Sequence, residues 1–247
     1  MCSESREIIM TQLTGDMIYK CIKRTGDGSE EHGVLLREHA MDIYTDGEFY
    51  TSVVCTADKL EELVIGRLVC DGMIRSLDEV KSLKVSEDRS VADVAIIQNE
   101  VLDYDDPEFC QNLQIVYPDD WIFAMADVMA AGMELHEKTW AAHSCFLYLQ
   151  DKLLFSCEDI SRHNAVDKVI GYAIRNGLDL SKCAVYSSGR VPVDMIDKIV
   201  VAGIPVLVSK GMPTMQAVEL AKEAGVTLVC GARKDQMRIY TDNRIKR

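Results

Sequence analysis

The chain has 247 residues, of which 48% are hydrophobic, and it carries a formal net charge of −13. This length and apolar content suit one large globular domain or two small ones, and the acidic balance argues against nonspecific nucleic-acid binding. The chain contains no apolar run of about 18 residues and no apolar segment near its start. We therefore expect a cytoplasmic protein without a signal peptide that uses neither nucleic acid nor a membrane.

Nine cysteines are spread along the chain at wide spacings, and no two of them form a CxxC pair. No HxxxH pair accompanies them, so a disulfide framework or a zinc site is not indicated. Most of these cysteines lie in apolar runs, where a cysteine usually acts as a small buried hydrophobic residue. We expect no structural metal.

Charge divides the chain into two unlike parts. Residues 1–150 contain 29 acids and 12 bases, whereas residues 151–247 contain 11 acids and 15 bases. We predict an α/β protein with two domains. Residues 1–135 would form a smaller, mixed and β-rich α+β domain, and residues 136–247 an α/β cofactor-binding domain.

In the first half, residues 1–33 are polar and predict at most a loose strand pair. Asp46-Gly47 predicts a hairpin turn within residues 34–56. Helical spacing of apolar residues predicts a helix over 58–74 with Asp58 as its N-cap.

Further along, residues 79–98 predict a short helix or strand followed by a strand, and residues 99–120 an acidic loop. A helix is predicted over 119–137. Two strands, 144–149 and 153–157, follow it with a short turn between them.

From residue 161 the pattern becomes regular. Apolar residues form one stripe along a helix over 161–176, which Gly177 would end. The elements that follow are strands at 183–187, 204–209 and 226–231, with helices at 192–202 and 213–224 between them. Such a β-α-β-α-β series predicts a parallel sheet with right-handed connections.

Each of these three strands ends in a small residue followed by a base, namely Arg190, Lys210 and Arg233. Ligands of open α/β sheets bind outside the carboxyl ends of the strands. The helices that begin at Pro192 and at Pro213-Thr214 would direct free N–H groups to the same edge. Because guanidinium groups bind phosphate bidentately, we predict an anion site there. For any single one of these bases, a solvated surface position is the simpler interpretation.

Two other polar clusters could join this site. The first turns of the helix at 161–176 contain Arg162, His163, Asn164, Asp167 and Lys168. His163 could alternatively form an ordinary i,i+4 surface pair with Asp167, and His143 is a weaker candidate at a strand start. The strand-like tail 237–245 could be an ordinary edge strand. Its candidate ligand contacts are Met237, Arg238, Ile239, Tyr240, Thr241 and Asp242.

The residues from Glu158 to Lys168, EDISRHNAVDK, resemble the acidic-Asp-x-Gly-Arg-His-Asn-Ala-Val-Asp-Lys pattern of the formate dehydrogenase accessory proteins, the FdhD/NarQ-like sulfurtransferases. Ser188-Gly189-Arg190 and Pro213-Thr214 match further elements of that family, and so does the end of the chain. The residues that match there are Ile239-Tyr240-Thr241 and Arg244-Ile245. The resemblance is strong over about residues 139–247 and faint over 34–74.

This resemblance implies a cytidine deaminase-like α/β/α sandwich in a homodimer. It also implies that sulfur passes from a cysteine desulfurase to a molybdenum or tungsten molybdopterin guanine dinucleotide cofactor, which then enters formate dehydrogenase. A guanine nucleotide would be a mimic of that cofactor. The implied binding residues are Arg162, His163, Asn164, Asp167, Lys168, Ser188, Gly189, Arg190, Lys210, Pro213, Thr214, Arg233 and residues 237–242.

The chain departs from the family in its sulfur-carrying motif, because it has no Cys-Gly-x-Cys-Gly sequence. The corresponding loop offers only Cys110, among acidic neighbours that disfavour a thiolate. Trp140-Ala141 also replace the two glycines that precede the histidine in the family. Two functions therefore stay open: a sulfur carrier that uses Cys110 or another cysteine such as Cys145 or Cys157, and a non-catalytic nucleotide- or cofactor-binding chaperone that delivers cofactor to a partner enzyme.

Overall fold

A computed structural model describes residues 18–97 and 115–244 of the chain. The described residues form twelve strands and six α-helices. The strands are β1 Ile18–Arg24, β2 Glu30–Leu36, β3 His39–Thr45, β4 Glu48–Cys55, β5 Val80–Val85, β6 Val91–Ile96, β7 His143–Leu149, β8 Lys152–Asp159, β9 Cys183–Ser187, β10 Val206–Ser209, β11 Thr227–Cys230 and β12 Arg238–Thr241. The helices are α1 Leu60–Cys70, α2 Asp119–Ala130, α3 Glu134–Thr139, α4 Arg162–Arg175, α5 Val193–Val201 and α6 Met215–Glu223.

The amino-terminal strands form two small sheets. Strands β1 and β2 pair antiparallel, and a second sheet has the order β4-β3-β6-β5. The predicted hairpin between β3 and β4 is confirmed, with φ angles of 51° at Asp46 and 81° at Gly47. Positive φ at both central residues is typical of the tight turns whose twist matches that of the flanking strands.

The remaining strands form one mixed sheet with the order β12-β11-β10-β9-β7-β8. Strands β9, β10 and β11 are parallel, as predicted, whereas β7 and β12 run antiparallel to their neighbours. Because β7 runs opposite to β9, the first residues of β7 lie at the edge where β8, β9, β10 and β11 end. This edge is where the candidate site residues are found.

Helices cover both faces of the six-stranded sheet. Leu147 and Val185 pack on one face with the apolar residues of α1, α4, α5 and α6. Their neighbours along the strands, Tyr148 and Tyr186, pack on the other face with α2, as the alternation of side chains along a strand requires. The predicted α/β/α sandwich is therefore confirmed. Apolar contacts cross residue 135, since α1 packs on α4 and α2 packs on the carboxyl-terminal sheet.

Two glycines bring the backbones of α1 and α4 into direct contact. A Cβ atom added at Gly66 would lie 1.7 Å from the carbonyl oxygen of Asp167. One added at Gly171 would lie 1.8 Å from the carbonyl oxygen of Glu62. The helices can pack this closely only because both positions lack a side chain.

Two details of the predicted helices are wrong. The N-cap of α1 is Lys59, with a φ of 48°, and not Asp58, whose carboxylate instead lies 2.8 Å from the Lys168 ammonium. The helix predicted over 119–137 is divided into α2 and α3 at Gly132, which has a φ of 76°. The buried carboxylate of Glu158 accepts hydrogen bonds from the first backbone N–H groups of α3 at 2.7–2.8 Å, so a residue distant in sequence fixes the start of that helix.

Residues 98–114, which include most of the predicted loop at 99–120, lie outside the described residues. Within the described ranges, no helix has both the length and the apolar character needed to cross a membrane.

Candidate functional site

Backbone hydrogen bonds join the ends of the central strands side by side. The N–H of Ser188 donates to the carbonyl of Ser144, and that of Lys210 donates to the carbonyl of Ser187, both at 2.9 Å. The N–H of Ala232 donates to the carbonyl of Ser209 at 3.0 Å. The three predicted strand ends therefore meet, and we call this region the strand-end edge. It comprises His143, residues 161–163, residues 188–190, Lys210, Gly211, Ala232 and Arg233.

The three predicted bases project from adjacent loops of this edge. Arg190 and Arg233 are exposed, and Lys210 is half-buried. One guanidinium nitrogen of Arg233 donates to the carbonyl of Lys210 at 2.6 Å, which ties the third loop to the second. Guanidinium has five N–H donors, so Arg233 can hold this contact and bind an anion as well.

Small residues allow the loops of the edge to approach each other closely. The hydroxyl of Ser209 donates to the carbonyl of Gly189 at 2.6 Å. A Cβ atom at Gly211 would lie 2.2 Å from that same carbonyl oxygen. Pro213 forms a parallel bridge with Val191 next to it. The backbone of the edge is thus fixed by close contacts between small residues and the carbonyl of Gly189.

Thr214 has a structural role that its sequence position suggests. Its side chain caps α6 by accepting a hydrogen bond from the N–H of Ala217 at 3.3 Å. The remaining N–H groups at the start of α6 lie beside the strand-end edge and add partial positive charge there.

His143 lies at the strand-end edge beside Ser188, with 3.2 Å between Nδ1 and the hydroxyl oxygen. That oxygen also accepts the N–H of Ser144 at 3.0 Å, so Ser188 joins His143 to the backbone of β7. Burial, followed by the positive charge of Arg162, lowers the pKa of His143 below 6.5. Burial and the charge of Arg162 therefore favour the neutral form of His143 at this edge.

Arg162 and His163 occupy the first turn of α4, which Ser161 caps by accepting the N–H of His163. The Arg162 side chain packs on Gly189, where an added Cβ would lie 2.8 Å from it. His163 Nε2 lies 3.5 Å from Asp194 of α5 and not beside Asp167. A cleft of about 530 Å³ opens at His163, between β4, α1, α4 and α5.

Asn164 and Lys168, which we predicted to be ligand-binding, are buried and bind protein groups. The Asn164 amide donates to the carbonyl of Val54 at 2.8 Å and to Asp159 at 3.0 Å. The Lys168 ammonium lies 2.7 Å from Asp159 and 2.8 Å from Asp58. Burial opposes the charge on Lys168, but the two carboxylates outweigh it and raise its pKa. The structure thus uses these polar residues to join α4 to the amino-terminal sheet.

Asp167 is also buried, and its carboxylate lies 2.6 Å from the Lys198 ammonium of α5. Burial raises the pKa of Asp167. The pair joins α4 to α5 beneath the cleft, so its place in the structure is between helices and away from solvent.

The tail strand β12 contributes a mixture of exposed and structural residues. Arg238, Ile239 and Tyr240 are exposed at the far end of the sheet, and Met237 is half-buried. Thr241 is buried and holds β12 to β11 by accepting the N–H of Leu228 at 2.9 Å. Asp242 forms a salt bridge with Arg244 at 2.8 Å.

Sequence reasoning missed Trp140 as a candidate. This side chain is 82% exposed, and its backbone has a φ of 56° at the end of α3. The indole lies 5.6 Å from the ring of His136. A signal was present in the sequence, because Trp140 stands where the family pattern has a glycine and keeps the left-handed conformation that glycine favours.

Buried thiols do not offer a replacement for the missing sulfur-carrying pair. Cys145 and Cys157 are buried in the core, and burial raises the pKa of both. Burial also raises the pKa of Cys55 and Cys230 to about 12 and that of Cys183 to about 11. A reactive thiol must be accessible and ionised, so these cysteines are unsuited to carry sulfur. Cys110 lies outside the described residues.

Metal-binding clusters of three or more histidine, cysteine or acidic side chains do not occur among residues 18–97 and 115–244.

A family model described as "FdhD/NarQ family" matches residues 36–109 and 98–246, which is most of the chain. The chain belongs to the FdhD/NarQ family. The sulfur carrier protein FdhD of Wolinella succinogenes is 30% identical over 247 residues, covering 89% of this chain and 86% of the relative. Protein FdhD of Methanocaldococcus jannaschii is 30% identical over 213 residues, covering 84% of this chain and 88% of the relative.

The fold of this FdhD/NarQ family member also matches a crystal structure. A Desulfotalea psychrophila protein assigned as a formate dehydrogenase accessory protein superimposes with a TM-score of 0.79 at 24% identity. The match covers 93% of this chain and 99% of that one. The arrangement of sheets and helices described above is therefore shared with a solved structure over nearly its whole length.

Proposed function

We propose that this chain acts in the maturation of formate dehydrogenase by binding a molybdopterin guanine dinucleotide cofactor, with molybdenum or tungsten, as its cargo at the strand-end edge. The observation that carries this proposal is the alignment of Arg190, Lys210 and Arg233 on loops that are hydrogen-bonded side by side. The names of its relatives, sulfur carrier protein FdhD and formate dehydrogenase accessory protein, support the same role.

The diphosphate of such a cofactor suits the middle of the edge. Arg190 and Arg233 would each supply a bidentate guanidinium, and Lys210 a third positive charge. The amino ends of α5 and α6 begin after these loops and add backbone N–H donors. The chain as a whole has a net charge of −13. The three bases on these loops nevertheless make the strand-end edge locally positive.

The ends of the edge offer groups for the rest of the ligand. His143 lies at the β7 end next to Arg162, and its imidazole would be a hydrogen-bonding group for the ligand. Tyr240 is exposed on β12 at the opposite end, where its ring could stack on a base or pterin. Asn164, Asp167 and Lys168 would support the site from beneath by holding α4 in place.

Nucleotide titration tests this proposal. We expect GDP to bind the wild-type chain, and Arg190→Ala or Arg233→Ala to weaken binding about 10- to 100-fold, since each removes a charge-assisted contact of about 1.5–3 kcal/mol. Lys222→Ala removes an exposed positive charge from the far end of α6 and should leave the affinity unchanged. Equal GDP affinities in all four proteins would contradict the site assignment.

The buried thiols support a second candidate, a cofactor-binding chaperone that carries no sulfur. Six of the described cysteines are buried, and Cys110 lacks the paired cysteine and the glycines of the family motif. The relatives' names, sulfur carrier protein FdhD, support sulfur carriage instead. For that candidate we propose a cysteine desulfurase as the sulfur donor and a homodimer as the working unit.

Intact-protein mass spectrometry separates the two candidates. The chain would be incubated with a cysteine desulfurase and cysteine, beside its Cys110→Ala variant. We expect little or no added sulfur on the wild-type chain and unchanged GDP affinity in the variant. A stoichiometric persulfide that disappears in Cys110→Ala would establish the sulfur carrier.

A further inference from the structure

Trp140 is a large aromatic side chain in a place where folding alone does not favour one. It is 82% exposed, and its φ of 56° is a backbone conformation that bulky residues rarely adopt. The other tryptophan, Trp121, is half-buried and packs edge-to-face on Tyr117 at 5.2 Å. An exposed ring held in an unfavourable conformation is typical of a residue that meets a ligand.

A short series of contacts connects Trp140 to the strand-end edge. Its ring lies 5.6 Å from that of His136, whose Nδ1 is 2.7 Å from the carbonyl oxygen of Ala142. The next residue, His143, begins β7 and contacts Ser188 at 3.2 Å. Only two residues separate Trp140 from His143, so the indole stands at the β7 end of the edge.

Tyr240 lies at the opposite side of the sheet, on β12, two residues beyond Arg238, which pairs with Cys230 at the end of β11. Between β7 and β12 lie β9, β10 and β11, which makes four strand spacings of about 4.8 Å, or roughly 19 Å in total. The loops that carry Arg190, Lys210 and Arg233 lie between the two aromatic residues. An aromatic ring at each end and positive charge in the middle match a ligand with two planar ring systems joined by a diphosphate.

We propose that Trp140 is a stacking platform for one of the two planar ring systems of the bound dinucleotide, and that Tyr240 receives the other. The proposal rests on the proposed function, because it assigns a role within the same site. It adds a specificity determinant: a ligand with rings at both ends of its diphosphate should bind more tightly than one with a single ring or with none.

Tryptophan fluorescence tests this directly, because the chain contains two tryptophans. Trp121→Phe retains an aromatic ring against Tyr117 and leaves Trp140 as the single emitter. The probe is diguanosine diphosphate, which has a guanine at each end of a diphosphate and therefore presents a ring to Trp140 in either orientation. Inorganic pyrophosphate is the matched probe without rings.

We expect diguanosine diphosphate to quench the Trp140 emission and pyrophosphate to leave it unchanged. Calorimetry should show that Trp140→Ala weakens diguanosine diphosphate binding roughly 5- to 100-fold, as loss of one stacked base does. Trp140→Phe should retain most of the affinity, and pyrophosphate binding should be equal in all three proteins.

Three results would overturn the proposal. Tight binding of diguanosine diphosphate without quenching, and unaffected by Trp140→Ala, would exclude the platform and leave the proposed function intact. Absence of binding by both GDP and diguanosine diphosphate would remove the proposed function and the platform together. Emission that changes with protein concentration and not with nucleotide would place Trp140 in a contact between two copies of the chain.

Discussion

The close contact between α1 and α4 predicts that alanine at Gly66 or Gly171 destabilises the protein, whereas helix propensity predicts the opposite. Alanine is a better helix former than glycine by about 1 kcal/mol, so propensity alone predicts that Gly66→Ala and Gly171→Ala stabilise the protein. The structure predicts a large loss of stability for both variants, because each Cβ would meet the backbone of the facing helix.

The magnitude follows from the distances. Ordinary Cβ contacts are 3.4–4 Å, whereas a Cβ at Gly66 would lie 1.7 Å from the Asp167 carbonyl oxygen and 2.9 Å from the Gly171 nitrogen. Neither atom can rotate away, so the helices must separate and lose packing along their shared apolar surface. Overpacking of this severity should cost about 3–5 kcal/mol, above the usual range of about 1–3 kcal/mol. With the propensity gain subtracted, the net loss is about 2–4 kcal/mol.

Thermal and urea unfolding of the full chain measure this loss. For a chain of this size, about 2–4 kcal/mol corresponds to a decrease in Tm of roughly 5–15 °C. Gly26→Ala is the control, because nothing lies within 4 Å of its Cβ position, and it should change stability by less than about 0.5 kcal/mol. The reasoning would be refuted by a Gly66→Ala protein that melts at or above the wild-type temperature.

Three further predictions concern buried groups. Lys168→Met should lower the free energy of unfolding in urea by about 3–5 kcal/mol, because it leaves the carboxylates of Asp58 and Asp159 without their partner; a loss below about 1 kcal/mol would contradict it. The pKa of His143 lies below its ordinary value of 6.5 in the folded chain, so the unfolded chain binds a proton more readily and stability should fall as the pH drops from 6.5 toward the folded pKa. His143→Gln should reduce this slope between pH 7.5 and 5.5 in chemical unfolding at each pH, and equal slopes in the wild-type and variant proteins would count against the assignment. Of nine cysteines, six are buried, so at most three thiols should react rapidly with a thiol reagent in the native protein and all nine in denaturant; more than three fast thiols would contradict the packing described here.

The sequence predicted those parts of the fold that depend on local pattern. The hairpin at Asp46-Gly47, the three parallel strands and the convergence of Arg190, Lys210 and Arg233 follow from turn chemistry and from the geometry of parallel sheets. Predicting these features needs only the residues next to each other in the chain and the rule that parallel strands end at the same edge, so one sequence is sufficient.

Long-range pairing could not be predicted in the same way. The sequence around Asn164 and Lys168 does not distinguish side chains that bind a ligand from side chains that bind protein groups. Their partners Val54 and Asp58 lie more than 100 positions away in the chain. The division of the helix at Gly132 depends likewise on Glu158, which caps α3 from β8, more than 20 positions further along the chain. Burial decides these cases, and burial is a property of the assembled fold.

The network around Lys168 has a consequence for how the molecule unfolds. Its partners come from the end of β4, the start of α1 and the end of β8, so it links strands of both large sheets. Moving these elements apart would leave buried charges without their counterions, which is strongly destabilising. The two parts of the chain should therefore melt together in one cooperative transition, and neither part would be an independent folding unit. A fragment that begins at residue 136 would keep every residue of the strand-end edge. It should still fail to hold α4 in place, because it lacks Asp58, which pairs with Lys168, and Gly66, on which α4 packs.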